Sequence, residues 1–263
     1  MKKYLVVGNP IEHSLSPKLH NFWIKKSSID AIYEKKKLNK DEFANLISEV
    51  RKKNIHGINV TVPFKKDIIS HLDQLSLESE NTQSVNTIYL DNNKTIGHNT
   101  DIEGFERSIK DLQIKTANKK ILILGAGGVV PSIIFALNKM NVAEIIISNR
   151  TKSKAEDLNN LFKNLKVIDW GEVPEFDIII NATSIGLKID DKLDLDLSKI
   201  GKNKFFYDVI YKPKQTNFLK IGKELGNRTE NGKMMFIYQA FAAFKVWHGI
   251  QPNINREVID LLD

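Results

Sequence analysis

One stretch of the chain, Lys120 to Thr151 (KILILGAGGVVPSIIFALNKMNVAEIIISNRT), constrains the fold more than any other. It opens on an apolar run, Ile121 to Leu124, that ends in a glycine cluster, the pattern of a short buried strand. Gly125, Gly127 and Gly128 then allow a tight turn with no side chain to hold a ligand away from the backbone. From Val129 to Met140 the spacing turns helical, with Ile133, Ile134, Leu137 and Met140 on one face. Pro131 requires the first helical turn, where backbone N–H groups have no intrahelical acceptor to lose. Ile145 to Ile147 supplies a second strand. The whole is a strand–turn–helix–strand unit of about 30 residues, the size of a dinucleotide half-site, and the N–H groups at such a helix start attract a pyrophosphate.

The glycine pattern is incomplete, because Val130 stands at the third position of GxGxxG and a bare GxG also makes an ordinary turn. Its place between strand and helix favours the nucleotide reading, with Gly125, Ala126, Gly127, Gly128 and Val129 around the phosphates. After the second strand an NAD site usually offers a carboxylate to the ribose hydroxyls. This chain offers Asn149, Arg150 and Thr151 instead. A guanidinium there can fork onto a 2′-phosphate, and no acid repels it, so the expected cofactor is NADP(H). A solvent-exposed arginine ahead of a helix is the competing account.

A chain of 263 residues can bury a full core in one large or two modest domains. It has no cysteine, which excludes a disulfide framework, a thiolate metal site and a cysteine nucleophile, and no metal-ligand cluster is visible. The run after Met1-Lys2-Lys3 stops at Gly8, too short for a signal h-region, and no segment reaches the ~18 apolar residues of a membrane span. The cytoplasm is the expected location, with no membrane partner. The formal charge of +7 raises nucleic acid as a partner, but the lysines are scattered among acids and asparagines. The densest run, Lys35 to Lys37, reads as a solvated face, and the mild basic bias suits anionic small molecules without implying DNA or RNA.

Ahead of the nucleotide unit, Tyr4 to Val7 reads as a strand stopped by Gly8-Asn9-Pro10. The loop GNPIEHSLSP carries Ser14 and Ser16 just before Pro17. Ser16 at the N-cap with Pro17 at the first helical position is a helix-start signal, which accounts for Ser16 without a ligand. Ser14 has no such account, and two hydroxyls at a helix start suit a carboxylate. Lys40 to Lys53 is an amphipathic helix with a buried stripe of Phe43, Leu46, Ile47 and Val50, opened by a capping box of Asn39 and Glu42. In GINVTVPFKK, Ile58, Val60 and Val62 share one side of a strand, which puts Asn59 and Thr61 on the other, ahead of Lys65. This is either a plain edge strand or a set of polar groups gathered for a small molecule. Val85 to Leu90 and Thr95 to His98 predict a hairpin across Asp91-Asn92-Asn93. His98 has no ligand-spaced partner. Thr100 and Glu103 form a capping box for a helix from Asp101 to Leu112, which by itself gives Asp101 only the role of an acid at a helix start.

After the nucleotide unit, a helix at Lys152 to Lys163 alternates with short apolar runs at Lys166 to Ile168, Asp177 to Ile180 and Phe205 to Tyr207. That alternation predicts a parallel sheet with its ligand at the carboxyl ends of the strands, where NATSIG lies. Tyr211, Pro213 and Thr216 follow Asp208. Lys233 to His248 is a long, mostly apolar helix interrupted by Gln239, and a short helix from Asn255 to Leu262 closes the chain.

In order and spacing, GNPIEHSLSP, NVTVPFK, VNT, NTD at Asn99 to Asp101, GAGG, NRT, NATS, DVIYKPKQT and GKMMFIYQAFAAFKVWHG resemble the shikimate dehydrogenase family nearly end to end. The resemblance implies reversible reduction of 3-dehydroshikimate to shikimate with NADPH, in aromatic amino-acid biosynthesis. It implies an α/β fold of two domains with the active site in the cleft between them: a discontinuous substrate-binding domain, residues 1–100 plus 238–263, and a Rossmann-type NADP-binding domain, residues 101–237. It makes Lys65 and Asp101 the catalytic pair, against the blander reading of Asp101 from spacing. Ser14, Ser16, Asn59, Thr61, Asn86, Tyr211 and Gln239 become the substrate shell. Asn181, Thr183, Ser184 and Gly232 join the glycine turn and Asn149 to Thr151 around the cofactor. Such an enzyme works as a monomer or homodimer. A quinate/shikimate dehydrogenase of broader specificity would share most of these motifs, and an acid near Thr151, absent here, would have hinted at it. Glutamyl-tRNA reductase needs a cysteine that is absent. A catalytically dead NADP-binding sensor has no reason to keep both Lys65 and Asp101.

Overall fold

A computed structural model describes residues 1–188 and 190–263. The chain divides into two compact units, Met1–Phe105 with Ile237–Asp263, and Glu106–Phe236.

The first unit is built on strands β1 (Lys2–Gly8), β2 (Ala31–Lys37), β3 (Gly57–Val60), β4 (Gln74–Leu75), β5 (Thr87–Asp91) and β6 (Lys94–His98). Its helices include α1 (Ser16–Lys26), α2 (Phe43–Arg51) and α3 (Leu77–Thr82), with 3₁₀ turns at Lys40–Glu42 and Asp67–His71. The strands order β2-β1-β3-β5-β6-β4. β1 runs parallel to β2 and β3, whereas β5 is antiparallel to both β3 and β6. α2 forms as its stripe predicts, with Phe43, Leu46, Ile47 and Val50 buried against Leu5, Val7, Ile58, Val60 and Ile88 of the sheet. The Asn39–Glu42 capping box is present. The β5–β6 hairpin turns on Asn92 and Asn93, both at positive φ (46° and 61°), which is the demand of a two-residue hairpin turn and one that asparagine tolerates.

Two expectations for this unit need correction. All four residues of β3 are buried and the strand lies between β1 and β5, so the plain edge-strand reading of GINV fails. Its alternation is real: Ile58 and Val60 join the core that includes the α2 stripe, while Asn59 is buried among polar partners. The N-cap of α1 is Leu15, not Ser16, and the Leu15 side chain makes no capping bond. Pro17 occupies the second helical position, which moves the start one residue forward and releases Ser16 from the capping role. β2 is hidden in the sequence because Lys35, Lys36 and Lys37 look like a solvated run. They are exposed, on an edge strand, where lysines discourage pairing with a second chain.

The second unit contains β7 (Lys120–Leu124), β8 (Glu144–Ser148), β9 (Leu165–Ile168), β10 (Ile178–Asn181), β11 (Phe205–Asp208) and β12 (Arg228–Asn231). Every pairing in it is parallel, in the order β12-β11-β10-β7-β8-β9. This is the doubly wound dinucleotide order, with its switch point between β7 and β10. Strands covered on both faces read as unbroken apolar runs, which is why ILIL, III and FFY are visible in the sequence. Helices α5 (Val130–Lys139), α6 (Lys152–Phe162) and α7 (Asn217–Glu224) alternate with the strands, while α4 (Asp101–Asp111) begins in the first unit and ends in the second. Val130 is fully buried, so the helix accommodates a valine where glycine is commoner. The chain ends in α8 (Lys233–His248) and α9 (Arg256–Leu261). Within the first unit, Trp247 of α8 donates its indole N–H to the Ile88 carbonyl at 3.1 Å. Its ring so closely covers Gly57 that a Cβ there would fall 2.3 Å from the indole nitrogen.

Candidate active site

In the first unit the carboxyl ends of β1, β3 and β6 and the amino end of β5 meet at one edge of the sheet. Backbone bonds fix that convergence: Val60 N–H to the Asn86 carbonyl at 2.8 Å, Asn86 N–H to the His98 carbonyl at 3.1 Å, and Val85 N–H to the Lys65 carbonyl at 2.8 Å. Here Lys65 Nζ forms a buried ion pair with Asp101 Oδ2. Asn86 donates to the other oxygen of Asp101 at 2.9 Å and to Thr100 Oγ1 at 2.9 Å. The Asn86 side-chain oxygen accepts from Thr100 N–H at 2.8 Å and from the Thr87 hydroxyl at 2.9 Å. Asp101 opens α4, where the helix dipole also favours a carboxylate. A lysine and an aspartate this buried need each other, because either alone would be an uncompensated charge in a poor dielectric. Of the bland readings of Lys65 and Asp101, the helix-start one describes Asp101's place but omits its partner.

Asn59 is buried one layer further in. Its amide donates to the Asn86 backbone carbonyl at 3.0 Å and to Thr87 Oγ1 at 3.1 Å, while its oxygen accepts from the Tyr33 phenol at 2.6 Å. Ser16 is buried beside Tyr33, and Ser14 Oγ accepts from Ser16 N–H at 3.3 Å. Thr61 follows β3, half-buried, with its hydroxyl making no hydrogen bond among the described residues. Gln239 is half-buried on α8. The motifs NVT, VNT and NTD point at this cluster. Sequence reasoning misses Thr87, Thr100 and Tyr33: the two threonines stand inside quoted motifs, and nothing in the local pattern marks Tyr33.

In the second unit the glycine turn stands at the switch point, with Ala182 N–H bonded to the Leu124 carbonyl at 2.8 Å. Gly125 has φ of +107°, and a Cβ there would be 2.8 Å from the Ala182 carbonyl oxygen, so the fold itself demands glycine. Gly127 differs. Among the described residues a Cβ there would find nothing nearer than 3.9 Å, which leaves space beside it for a ligand. The backbone N–H groups of Ala126, Gly127 and Val129 reach no acceptor among the described residues. An open glycine beside unspent donors at the start of α5 fits a dinucleotide pyrophosphate. Arg150 is exposed and makes no ion pair or hydrogen bond among the described residues, while Asn149 donates to the Thr151 carbonyl at 2.7 Å.

Asn181 organises the end of β10. Its amide donates to the Ile185 carbonyl and to Asp208 Oδ1, each at 3.1 Å, and its oxygen accepts from the Thr183 N–H and hydroxyl. That side chain is therefore spent within the protein, which leaves the Thr183–Ser184 loop as the part able to face a ligand. Asp208 is fully buried, takes hydrogen bonds from Asn181, Ile210 N–H and Thr216, and is pushed up to about 6 by burial. The loop it anchors carries Tyr211, half-buried and stacked on Phe236 at 4.6 Å, whose phenol burial pushes up to about 12. Gly232 has its own packing reason, since a Cβ would lie 2.1 Å from the Val209 oxygen.

Residues 6–88 match the family model described as the shikimate dehydrogenase substrate binding domain, and residues 107–213 match that described as shikimate / quinate 5-dehydrogenase. A shikimate dehydrogenase (NADP(+)) of Pelagibacter ubique is 58% identical over 262 residues, covering 100% of this chain and 99% of that protein. A shikimate dehydrogenase solved in complex with NADP+ superposes with a TM-score of 0.93 at 34% identity, covering 100% of this chain and 95% of that one. The shikimate 5-dehydrogenase of Thermus thermophilus, solved with NADP(H) and shikimate, gives 0.90 at 29% identity over 99% of this chain and 98% of that one.

Proposed function

The chain belongs to the shikimate dehydrogenase family, and from that premise we propose that it catalyses the reversible NADPH-dependent reduction of 3-dehydroshikimate to shikimate, a step of aromatic amino-acid biosynthesis. The observation that carries this reading is the buried Lys65–Asp101 pair, held by Asn86 where the polar loops of one sheet edge meet. Bound NADPH supplies a hydride to the ketone carbon. The ketone oxygen then needs a positive neighbour and a proton, and the Lys65 ammonium offers both. Asp101 keeps that ammonium aimed and exchanges the proton with it. Asn86 fixes the carboxylate so that one oxygen faces Lys65 while the other is occupied. Such acid–base assistance is typically worth about a hundred- to ten-thousandfold in rate.

The substrate carries a carboxylate and ring hydroxyls. We assign the carboxylate to the hydroxyls of Ser14, Ser16 and Thr61, and the ring oxygens to Asn59, Asn86 and the catalytic pair, with Tyr211 and Gln239 also in the shell. For NADP(H), the turn from Gly125 to Val129 would hold the pyrophosphate, and Arg150 with Asn149 and Thr151 the 2′-phosphate. Thr183, Ser184 and Gly232 would line the remainder, with Asn181 holding the loop. The proposed setting is the cytoplasm, as monomer or homodimer, with small molecules and not nucleic acid as partners. Among the described residues no helix is long and apolar enough to cross a membrane.

The test follows NADPH absorbance with purified protein and either 3-dehydroshikimate or 3-dehydroquinate. Consumption with 3-dehydroshikimate, and little with 3-dehydroquinate, is the expected result. No consumption with either, or a preference for 3-dehydroquinate, overturns the assignment.

A further inference from the structure

Asn59 belongs to the substrate shell proposed above, yet three of its hydrogen-bonding positions are already spent. Both amide hydrogens go to the Asn86 backbone carbonyl and Thr87 Oγ1, and one oxygen lone pair accepts from Tyr33. What Asn59 can offer a ring hydroxyl is the second lone pair of Oδ1. The direction of that lone pair depends on what holds Oδ1, and the holder is the phenol of Tyr33 at 2.6 Å. Asn59 has no spare hydrogen, so the phenol must be the donor in that bond.

Tyr33 is fixed in turn on every side. Its backbone is clamped by Asn21, whose oxygen accepts from Tyr33 N–H at 2.9 Å and whose amide donates to the Tyr33 carbonyl at 2.8 Å. Its ring lies flat on the imidazole of His20, centroids 4.2 Å apart and planes 2° off parallel. Burial pushes that imidazole down to about 3, so it stacks as a neutral ring. The phenol oxygen also stands within reach of the Ser16 hydroxyl. A phenylalanine would fill the same space against His20 and Trp247, so packing explains the ring but not the buried hydroxyl. Burial holds the phenol well above its ordinary range, so it remains a protonated donor at any working pH.

We propose that Tyr33 is a positioning residue for the reduction, whose phenol fixes the Asn59 carbonyl toward a substrate hydroxyl. The inference rests on the assigned dehydrogenase activity. Tyr33→Phe keeps the ring and its stack and removes the hydroxyl, and with it the donor to Asn59 and the oxygen beside Ser16. The Asn59 amide then keeps its two Nδ2 bonds but loses the one made to Oδ1, so the carbonyl that meets the substrate hydroxyl is held less firmly. Loss of a hydrogen bond in a buried site of this kind corresponds to about a tenfold fall in kcat/KM for shikimate.

The experiment is steady-state kinetics on the wild type, Tyr33→Phe, Asn59→Ala and the double variant, with melting temperature recorded for each. Expected is about a tenfold loss in kcat/KM for shikimate in Tyr33→Phe, with KM for NADP changed by less than about twofold. In the Asn59→Ala background the same change should then cost less than about twofold, because the residue through which Tyr33 acts is gone. Should Asn59→Ala fail to fold, Asn59→Ser takes its place in the cycle. Wild-type kcat/KM in Tyr33→Phe overturns the proposal, as does an equal loss for shikimate and NADP, or a full-sized loss in the Asn59 variant. A wild-type protein that does not turn over 3-dehydroshikimate takes down the parent reading as well, which separates the two failures.

Discussion

Replacing Asp208 by asparagine should stabilise the protein at neutral pH and remove part of its pH dependence. Asp208 is fully buried, bonded to Asn181, Ile210 N–H and Thr216, and has no cation within ion-pair distance among the described residues. Burial raises its carboxyl from an ordinary 3.8 to about 6. The folded chain therefore keeps this proton in a range where the unfolded chain has released it. Stability from this group is fullest below the unfolded value, falls as pH rises between the two values, and stays low above the folded one. A difference of about two units corresponds to roughly 3 kcal/mol of lost stability at neutral pH. Asparagine retains an oxygen for Asn181 and Ile210, and its NH₂ can donate to Thr216. That hydroxyl oxygen also accepts from Leu219 N–H and has a second lone pair. The variant has no charge to desolvate. Calorimetry from about pH 4 to about pH 8, following the transition of the Glu106–Phe236 unit, should show the variant melting higher, by on the order of 5 °C or more, at the alkaline end. The gap should close toward pH 4. Taking the difference between variant and wild type removes the contribution of every other titrating group. A gap independent of pH, or one that grows toward acid, would refute the reasoning.

Arg150→Ala should weaken NADP binding about tenfold and leave NAD nearly unchanged, as measured by titration; the side chain is exposed, so the low end of a charge-assisted bond applies. Equal loss of both cofactors would make Arg150 a support of the fold. Lys65→Ala should lower kcat about a hundredfold or more with a smaller change in KM, and Asp101→Asn should also lose rate. Their double variant should be little slower than the slower single one, and normal turnover without Lys65 would remove the pair from the mechanism. Gly127→Ala should melt like the wild type and bind NADP more weakly, because only the ligand side of that position is open. Gly125→Ala should destabilise by about 1 kcal/mol or more through its positive φ and the Ala182 carbonyl, so a Gly127 variant that melts lower than the Gly125 one contradicts this account.

The second unit is legible almost strand by strand because its physics is local and redundant. A strand covered on both faces must be apolar throughout, so Ile121–Leu124, Ile145–Ile147 and Ile178–Ile180 announce themselves without knowledge of their neighbours. Alternation of these runs with helices leaves a parallel sheet as the economical solution, and the glycine turn marks its switch point. The first unit is harder to read because its sheet is mixed. β2 has only Tyr33 buried among its seven residues, and a tail of three lysines hides the strand. Nothing local distinguishes it from a solvated segment. Its strand character comes from pairing with β1 over its whole length.

The candidate site shows the same boundary more sharply. Local rules treat Ser16, Asp101 and the Asn59 strand one at a time, and each has an adequate bland account: a cap, a helix-start acid, an edge. The structure removes two of those accounts through facts that no window of sequence contains. Leu15, not Ser16, is the cap, and β5 covers the side of β3 that an edge strand would leave open. Asp101 does open its helix, but its energetics are set by Lys65, 36 residues earlier, and by Asn86 between them. A buried polar group is intelligible only with its partners, and here the partners come from separate strand ends. Motif resemblance can therefore name Lys65, Asn86 and Asp101, since it compares whole constellations, while periodicity cannot. It passes over Tyr33, whose hydrogen bond to Asn59 becomes visible only once β1 has paired with both the edge strand β2 and β3. The residues that touch a ligand are the ones a motif selects for notice. Those that hold the first set still have to be read from geometry.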